Sequence, residues 1–199
     1  SAVLVDGGDS ATISDNEIGT NAKPNDIGIT LDNGAQDAII GGAGVANTIT
    51  YNNGDGIYMT DATTVRNKLS QNVIYENGGL GIELDNNANG DITSLVITSG
   101  YKDGANYKFS FDLMTAPPAG ACSVAVPCSL EIFNVDESTV PVAADLSGAG
   151  EAYQYVTVYT VTECAASIAL HSLSRGRAVH LLSESSGAMV CHTLSRFGT

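Results

Sequence analysis

Four carboxylates and one tyrosine recur at matched places in the first half of the chain. They are Asp6, Asp32, Glu83 and Asp85, with Tyr58 between them. Each sits in a five-residue stretch of one shape. The stretches are Ala2-Val3-Leu4-Val5-Asp6, Gly28-Ile29-Thr30-Leu31-Asp32, Gly56-Ile57-Tyr58-Met59-Thr60 and Gly81-Ile82-Glu83-Leu84-Asp85. Apolar residues at i and i+2 give the period of a strand with one buried face. Val3, Ile29, Ile57 and Ile82 then turn inward, and the outward pairs are Leu4/Asp6, Thr30/Asp32, Tyr58/Thr60 and Glu83/Asp85. Strands stacked at about 4.8 Å set Asp6 beside Asp32, with Glu83 and Asp85 two strands further on. Carboxylates so placed hold divalent cations, or at a suitable separation support glycoside hydrolysis. Asp6, Asp32, Tyr58 and Glu83 are the candidate substrate-binding residues. Nothing in the sequence marks any of them as an acid of raised pKa, and the bland alternative is a solvated acidic face.

A second constellation follows the fourth stretch. Asp85-x-Asn87-x-Asn89-Gly90-Asp91 matches the first half of a calcium loop, in which alternate oxygen ligands and a glycine turn wrap a hard cation. Its twelfth position is Val96 rather than a bidentate Glu, which excludes a complete EF-hand. The candidate metal ligands are Asp85, Asn87, Asn89 and Asp91, with Ca²⁺ as the ion. A polar linker is the competing reading.

The elements that must position these residues are repeats. The four stretches start 26, 28 and 25 residues apart. A period of that size, with no room for a packed helix between copies, is one supersecondary unit stacked on itself. Further short strands are expected at 11–13, 16–19, 38–42, 47–50, 68–70 and 72–75. Three strands joined by Gly, Asn and Asp turns make one triangular coil, because those residues tolerate the left-handed conformations that sharp corners need. Asn47 with Asn72, and Asn53 with Asn77, are expected to stack along the axis as a structural ladder.

Residues 1–91 hold 13 of the 15 Asn, with 13 acidic residues against three bases, net −10. Residues 92–199 hold nine acids against five bases, net −4, together with all four cysteines. This composition shift marks a domain boundary near residue 91. The downstream strands expected near 95–98, 107–113, 129–135, 153–161, 167–170, 178–183 and 188–194 fit an antiparallel, immunoglobulin-like β-sandwich. Cys122, Cys128, Cys164 and Cys191 fit two disulfides and an oxidising compartment. Pairing Cys122 with Cys128 and Cys164 with Cys191 is favoured among three connectivities, and buried free thiols are the alternative. No cysteine spacing fits zinc. His171, His180 and His192 sit in expected strands and read as structural.

The overall charge of −14 argues against nucleic acid and against anionic membranes, both of which need clustered Lys and Arg. No apolar run reaches the length of a membrane span, which excludes helical membrane insertion. The first residues lack the pattern of a signal peptide.

Ile39-Ile40-Gly41-Gly42, Asn47-x-Ile49, Asn52-Asn53-Gly54-Asp55-Gly56-Ile57 and Asn77-Gly78-Gly79-Leu80-Gly81-Ile82-Glu83-Leu84 resemble the repeats of right-handed parallel β-helix proteins of the pectate-lyase-like superfamily. More narrowly, they are similar to the Asn- and Gly-rich repeats of secreted and surface-displayed bacterial proteins. The resemblance covers residues 1–91 and implies the fold rather than an activity. In the lyases of this group the outward face binds calcium and an acidic sugar chain, which makes polysaccharide a candidate partner here. Such a lyase needs an Arg or Lys base beside the metal. Here Lys23, Arg66 and Lys68 fall at turns or on another strand. In the surface proteins a small β-sandwich often follows the last coil.

The expectation is therefore an all-β chain: a short right-handed parallel β-helix over 1–91, then an immunoglobulin-like antiparallel β-sandwich over 92–199. The leading function is a non-enzymatic extracellular or cell-surface structural protein, a filament subunit or adhesin fragment. An exposed first-coil edge and a net +2 at 165–199 suit head-to-tail self-association into a homo-oligomer or filament; the competing explanation is that the edge is where a longer β-helix was cut. The alternative is a polysaccharide-active enzyme or carbohydrate-binding module.

Overall fold

The computed structural model describes residues 1–90 throughout, and beyond them the strands within 95–195. Ten short strands build the first part. They are β1 (Val3–Asp6), β2 (Thr12–Ile13), β3 (Glu17–Ile18), β4 (Ile29–Asp32), β5 (Ile39–Gly41), β6 (Thr48–Thr50), β7 (Ile57–Met59), β8 (Lys68–Ser70), β9 (Val73–Tyr75) and β10 (Ile82–Leu84). They form three parallel sheets, β1-β4-β7-β10, β2-β5-β8 and β3-β6-β9. The chain visits each sheet once per turn, which makes a solenoid. The spacings of 26, 28 and 25 appear directly as register, since Val3 pairs with Ile29, Ile29 with Ile57 and Ile57 with Ile82.

The inward residues form apolar columns that meet at the axis. Ile29, Leu31, Ile57 and Met59 are fully buried on the first sheet, Ile40 and Leu69 on the second, Ile49 and Ile74 on the third. Each packs on its own counterpart one coil away, so the core is a stack of like residues. Coils differ in length only at their corners. The extra residues of the first coil form an exposed loop closed by hydrogen bonds between Thr20 and Lys23.

Corners are where a solenoid must solve its backbone problem, because turning the chain leaves N–H groups pointing along the axis. Here a residue with left-handed φ is followed by an Asn, buried at every such corner except the exposed Asn16 of the first coil. Asp15, Gln71, Tyr51, Glu76 and Arg66 have φ between 51° and 59°, and Asn16, Asn72, Asn52, Asn77 and Asn67 follow them. Asn47 shows what the amide does. Its Oδ1 accepts from Asn16 N and Nδ2 at 3.1 and 3.0 Å. Its Nδ2 donates to Ile13 O and to Asn72 Oδ1 at 2.8 and 2.9 Å. Its own N donates to the same Asn72 Oδ1 at 3.1 Å. Gly41 serves the adjoining corner with φ 78°, and a Cβ there would run into Asn72 Oδ1 and the Ser70 carbonyl.

A second ladder runs Asn25, Asn52, Asn77. The sequence expectation put Asn53 on it. The structure corrects this by one residue, for Asn52 is 2% exposed and Asn53 faces solvent. A third ladder joins Ala38 N to Asn67 Oδ1 and Asn67 N to Asn89 Oδ1. Asn89 thus occupies the rung after Asn67, so the ladder runs one corner beyond Gly81–Asp85.

Downstream, β11 (Leu95–Asp103), β12 (Asn106–Leu113), β13 (Cys128–Asn134), β14 (Gln154–Val161), β15 (Ala165–His171), β16 (Val179–His180), β17 (Leu182–Ser185), β18 (Ala188–Met189) and β19 (Leu194–Ser195) pair antiparallel. Their sheets have the orders β11-β12-β15, β14-β13-β17-β18 and β16-β19. Cys122, Cys164, Cys191 and Asp91 lie outside the described residues, and Cys128 is the first residue of β13.

One side chain of β13 ties this part to the solenoid. Glu131, 3% exposed, accepts from Ser70 Oγ at 2.5 Å and from Gln71 N at 2.8 Å. At the same corner two coils earlier, Asp15 N donates to the carbonyl of Val45 in the next coil. The Glu131 carboxylate therefore stands where a further coil's carbonyl would stand. Phe133, 1% exposed, joins the solenoid's core cluster and meets Tyr155 edge-on at 5.7 Å.

Two stability predictions follow from these contacts. Asn72→Ala leaves Asn47 N–H, Asn47 Nδ2 and Ile40 O short of partners, and is expected to cost about 2–4 kcal/mol in urea unfolding. Asn53→Ala is expected to change it by less than about 0.5 kcal/mol. Glu131→Ala is expected to cost about 2–4 kcal/mol, and Glu131→Gln less, since an amide oxygen still accepts.

Candidate functional site

The outward face of β1-β4-β7-β10 carries the residues singled out by type and spacing. Asp6 and Asp32 are direct register partners, as are Tyr58 and Glu83. The four do not form one site. Asn33, with φ 51°, joins the two aspartates, its Nδ2 donating to Asp6 Oδ1 and its N to Asp32 Oδ1 at 2.7 Å. Thr30 belongs to the other column, two residues before Asp32. Expected outward, it is 8% exposed. It lies between Leu4 and Tyr58 in the register, and its hydroxyl bonds Ser1 Oγ at 2.6 Å.

Lower on the same face, Tyr58 OH donates to Asp85 Oδ2 at 3.0 Å. Asn86 Nδ2 donates to Thr60 Oγ1 and to the same Asp85 oxygen. Its backbone N donates to Asp85 Oδ1. Asn86 thus repeats the place of Asn33. The two Asp-Asn pairs, 32–33 and 85–86, were a visible signal for these side chains.

Glu83 has a partner that column logic did not supply. Burial first, then a hydrogen bond with Asp55 and the charges of Asp55 and Asp85, raise its pKa above the ordinary 4.5. The sequence expectation of no raised-pKa acid is therefore corrected. Asp55 escaped notice because it precedes β7 rather than lying on it, where its Oδ1 also accepts from Leu80 N at 2.7 Å. At Tyr58 a Thr60 hydrogen bond pulls the phenol's pKa down, but burial and the Asp85 and Glu83 charges more than offset it, and the net shift is up.

The calcium-loop residues separate. Asp85 and Asn87 are exposed, whereas Asn89 is fully buried and its amide bonds Asn67 N and O at 2.9 Å. An Asn whose amide spans a ladder rung does not face the solvent with Asp85 and Asn87. Among the described residues no three His, Cys, Asp or Glu side chains converge on a metal position. Arg66 makes a two-pronged ion pair with Asp37 at another corner, lowering the Asp37 pKa. It is therefore not a base poised over the acidic face.

The opposite feature is the outer edge of β1, β2 and β3, which no strand pairs among the described residues. A cavity of ≈ 580 Å³ opens there, lined by Val3, Ile13, Ile18, Asn16, Lys23 and Asn25 among others.

The parallel register, the three sheets and the amide ladders decide the family. Residues 1–112 match the model of the right handed beta helix region. The chain belongs to the right-handed β-helix family. The match runs past the last parallel strand into β11 and β12. No curated protein and no solved structure matches the chain. Among the described residues no helix is long and apolar enough to cross a membrane.

Glu83 supplies a pH prediction for this β-helix. A carboxyl whose folded pKa is raised keeps its proton where the unfolded chain has lost it. Stability is thus lost as pH rises from about 4.5 through the raised value, and stays lost above it. Glu83→Gln removes that loss. In urea unfolding at pH 4 and pH 8, the variant's advantage over the natural chain is expected to grow with pH. An advantage equal at both pH values would contradict the assignment.

Proposed function

We propose that this β-helix is a non-enzymatic structural module of an extracellular or cell-surface assembly, joining its neighbours through the open edge of β1, β2 and β3. The observation that carries the reading is the inequality of the two ends. At one, Glu131 and Phe133 close the stack with the chain's own residues. At the other, Val3 and Val5 are half-buried beside a concave mouth, and the edge is unpaired among the described residues. Unpaired parallel edges are templates for association, and natural proteins usually blunt them.

The downstream sheets are read as an immunoglobulin-like sandwich held by two disulfides, serving as the closing cap. Their antiparallel order supports this. Because Glu131 occupies the distal corner, head-to-tail contact between copies would set the open edge against the outer side of that cap. Repetition of such a contact gives a filament.

One observation favours a second reading, a polysaccharide-active or polysaccharide-binding face. The pKa of Glu83 is raised beside Asp55 and Asp85, the direction an acid catalyst needs. The readings part in one pair of assays on the purified chain. The structural reading expects concentration-dependent growth in sedimentation velocity, abolished by Val3→Lys, and no unsaturated ultraviolet-absorbing ends released from acidic polysaccharide. Monomers at every concentration, together with such release, would overturn it.

A further inference from the structure

We propose that Asn33 is a modification site, the Asn-Gly step at which the folded chain converts asparagine to aspartate and isoaspartate by attack of its own backbone. The site is independent of how the solenoid assembles. Gly34 N bonds to Asn33 Cγ, the Cγ–Nδ2 bond breaks, and ammonia leaves with the proton given up by Gly34 N. Water then opens the cyclic imide. Opening at Cγ gives aspartate, and opening at the backbone carbonyl gives isoaspartate, so water is the one co-reactant. The sequence holds four Asn-Gly steps, at 33–34, 53–54, 77–78 and 89–90. A glycine N–H reaches the neighbouring side chain only after leaving its own partner, so local opening of the fold decides which step reacts.

Three of the steps are held by the stack. Asn77 and Asn89 are buried, and their amides are rungs of the ladders. Gly78 N donates to Asn52 O at 2.8 Å, and Gly90 N to Asn87 O at 3.2 Å. Asn53 faces solvent, but its own N donates to Asn25 O at 2.7 Å and Gly54 N to Asp26 O at 2.6 Å, both in the coil before. Opening that step lifts backbone off a neighbouring coil. Asn33 differs on both counts. Its side chain is exposed, and Gly34 N donates to a side chain, Thr64 Oγ1, at 3.2 Å. Asn33 and Gly34, with φ of 51° and 79°, are the tip of a turn closed by Ala35 N on Asp32 O. The bonds that a moving tip gives up are to the side chains of Asp32, Thr64 and Asp6. The coil also accommodates the product. Asp61 lies two residues after Met59, as Asn33 lies two after Leu31, and it already sets an aspartate with φ 81° at this place one coil on. Conversion exchanges the Nδ2 donor to Asp6 for a third carboxylate beside Asp6 and Asp32, which changes the charge of the outward face and not the coil.

The test incubates the full chain in mildly alkaline buffer and maps its peptides by a separation that resolves asparagine, aspartate and isoaspartate at each of the four steps. In the folded chain, residue 33 is expected to convert at least about tenfold faster than residues 53, 77 and 89. In the urea-unfolded chain, which lacks that protection, the four are expected to convert within about threefold of one another. Urea below the unfolding transition separates the routes. Conversion at residue 33 stays flat, because it needs only the local opening, while conversion at the other three climbs with the global one. Residue 33 converting no faster than residue 53 in the folded chain, or accelerating with urea in step with the others, would overturn the proposal. The Asn33→Asp variant checks the product. Its melting temperature is expected within about 3 °C of the natural chain, and a larger drop would contradict the accommodation of aspartate at this turn.

Discussion

Backbone N–H groups that a corner turns away from its sheet need partners inside the protein, and the buried asparagine amide supplies them. An unpaired buried donor costs about 1–3 kcal/mol, and a solenoid of short strands meets that demand at every corner of every coil. In this chain one residue type answers it. Asn47, Asn52, Asn72 and Asn77 each tie their own coil to the one before. The left-handed residues beside them hold strained corners, and the amides hold those corners closed. The isoleucine columns provide the burial, but an apolar column tolerates rotation and slippage. The ladder does not, because a slip of one residue breaks donors and acceptors at once.

This dependence explains which parts of the architecture were legible in the sequence. Period-2 pairs such as Val3/Val5 and Ile29/Leu31 named the strands, and their spacing named the register. The second ladder was misplaced by one residue because Asn52 and Asn53 are adjacent. The rung is set by the offset from the column residue. Asn77 lies three residues after Ile74, and Asn52 lies three after Ile49. Asn89 fits both a cation pattern, Asp85-x-Asn87-x-Asn89-Gly90, and the ladder. Its spacing of 22 residues from Asn67 was the competing signal, and burial made it the stronger one.

Contacts from outside the repeat left no such signal. Glu131 lies 61 residues beyond Ser70, in a strand that belongs to no column. Only tertiary packing could bring its carboxylate to the corner. Asp55 belongs to the repeat but sits on the segment entering β7, so a reading confined to strand columns missed its partnership with Glu83. The outward acidic face was legible as a list of residues. It was not legible as two separate clusters, because the grouping is set by Asn33 and Asn86, whose side-chain amides reach back to Asp6 and Thr60.

The functional account follows from the polarity of the ladder. Each amide oxygen accepts from the coil before, so the stack has a donor end and an acceptor end. The donor end meets the Glu131 carboxylate. The acceptor end meets the open mouth. Side-chain amide hydrogen exchange by NMR tests this polarity most directly. The account predicts slow exchange for the Nδ2 hydrogens of the buried Asn47, Asn52, Asn72 and Asn77, and faster exchange for those of Asn16 and Asn25, which also bond the next coil but are reached by solvent. Exchange at Asn47 and Asn52 as fast as at Asn16 would contradict it.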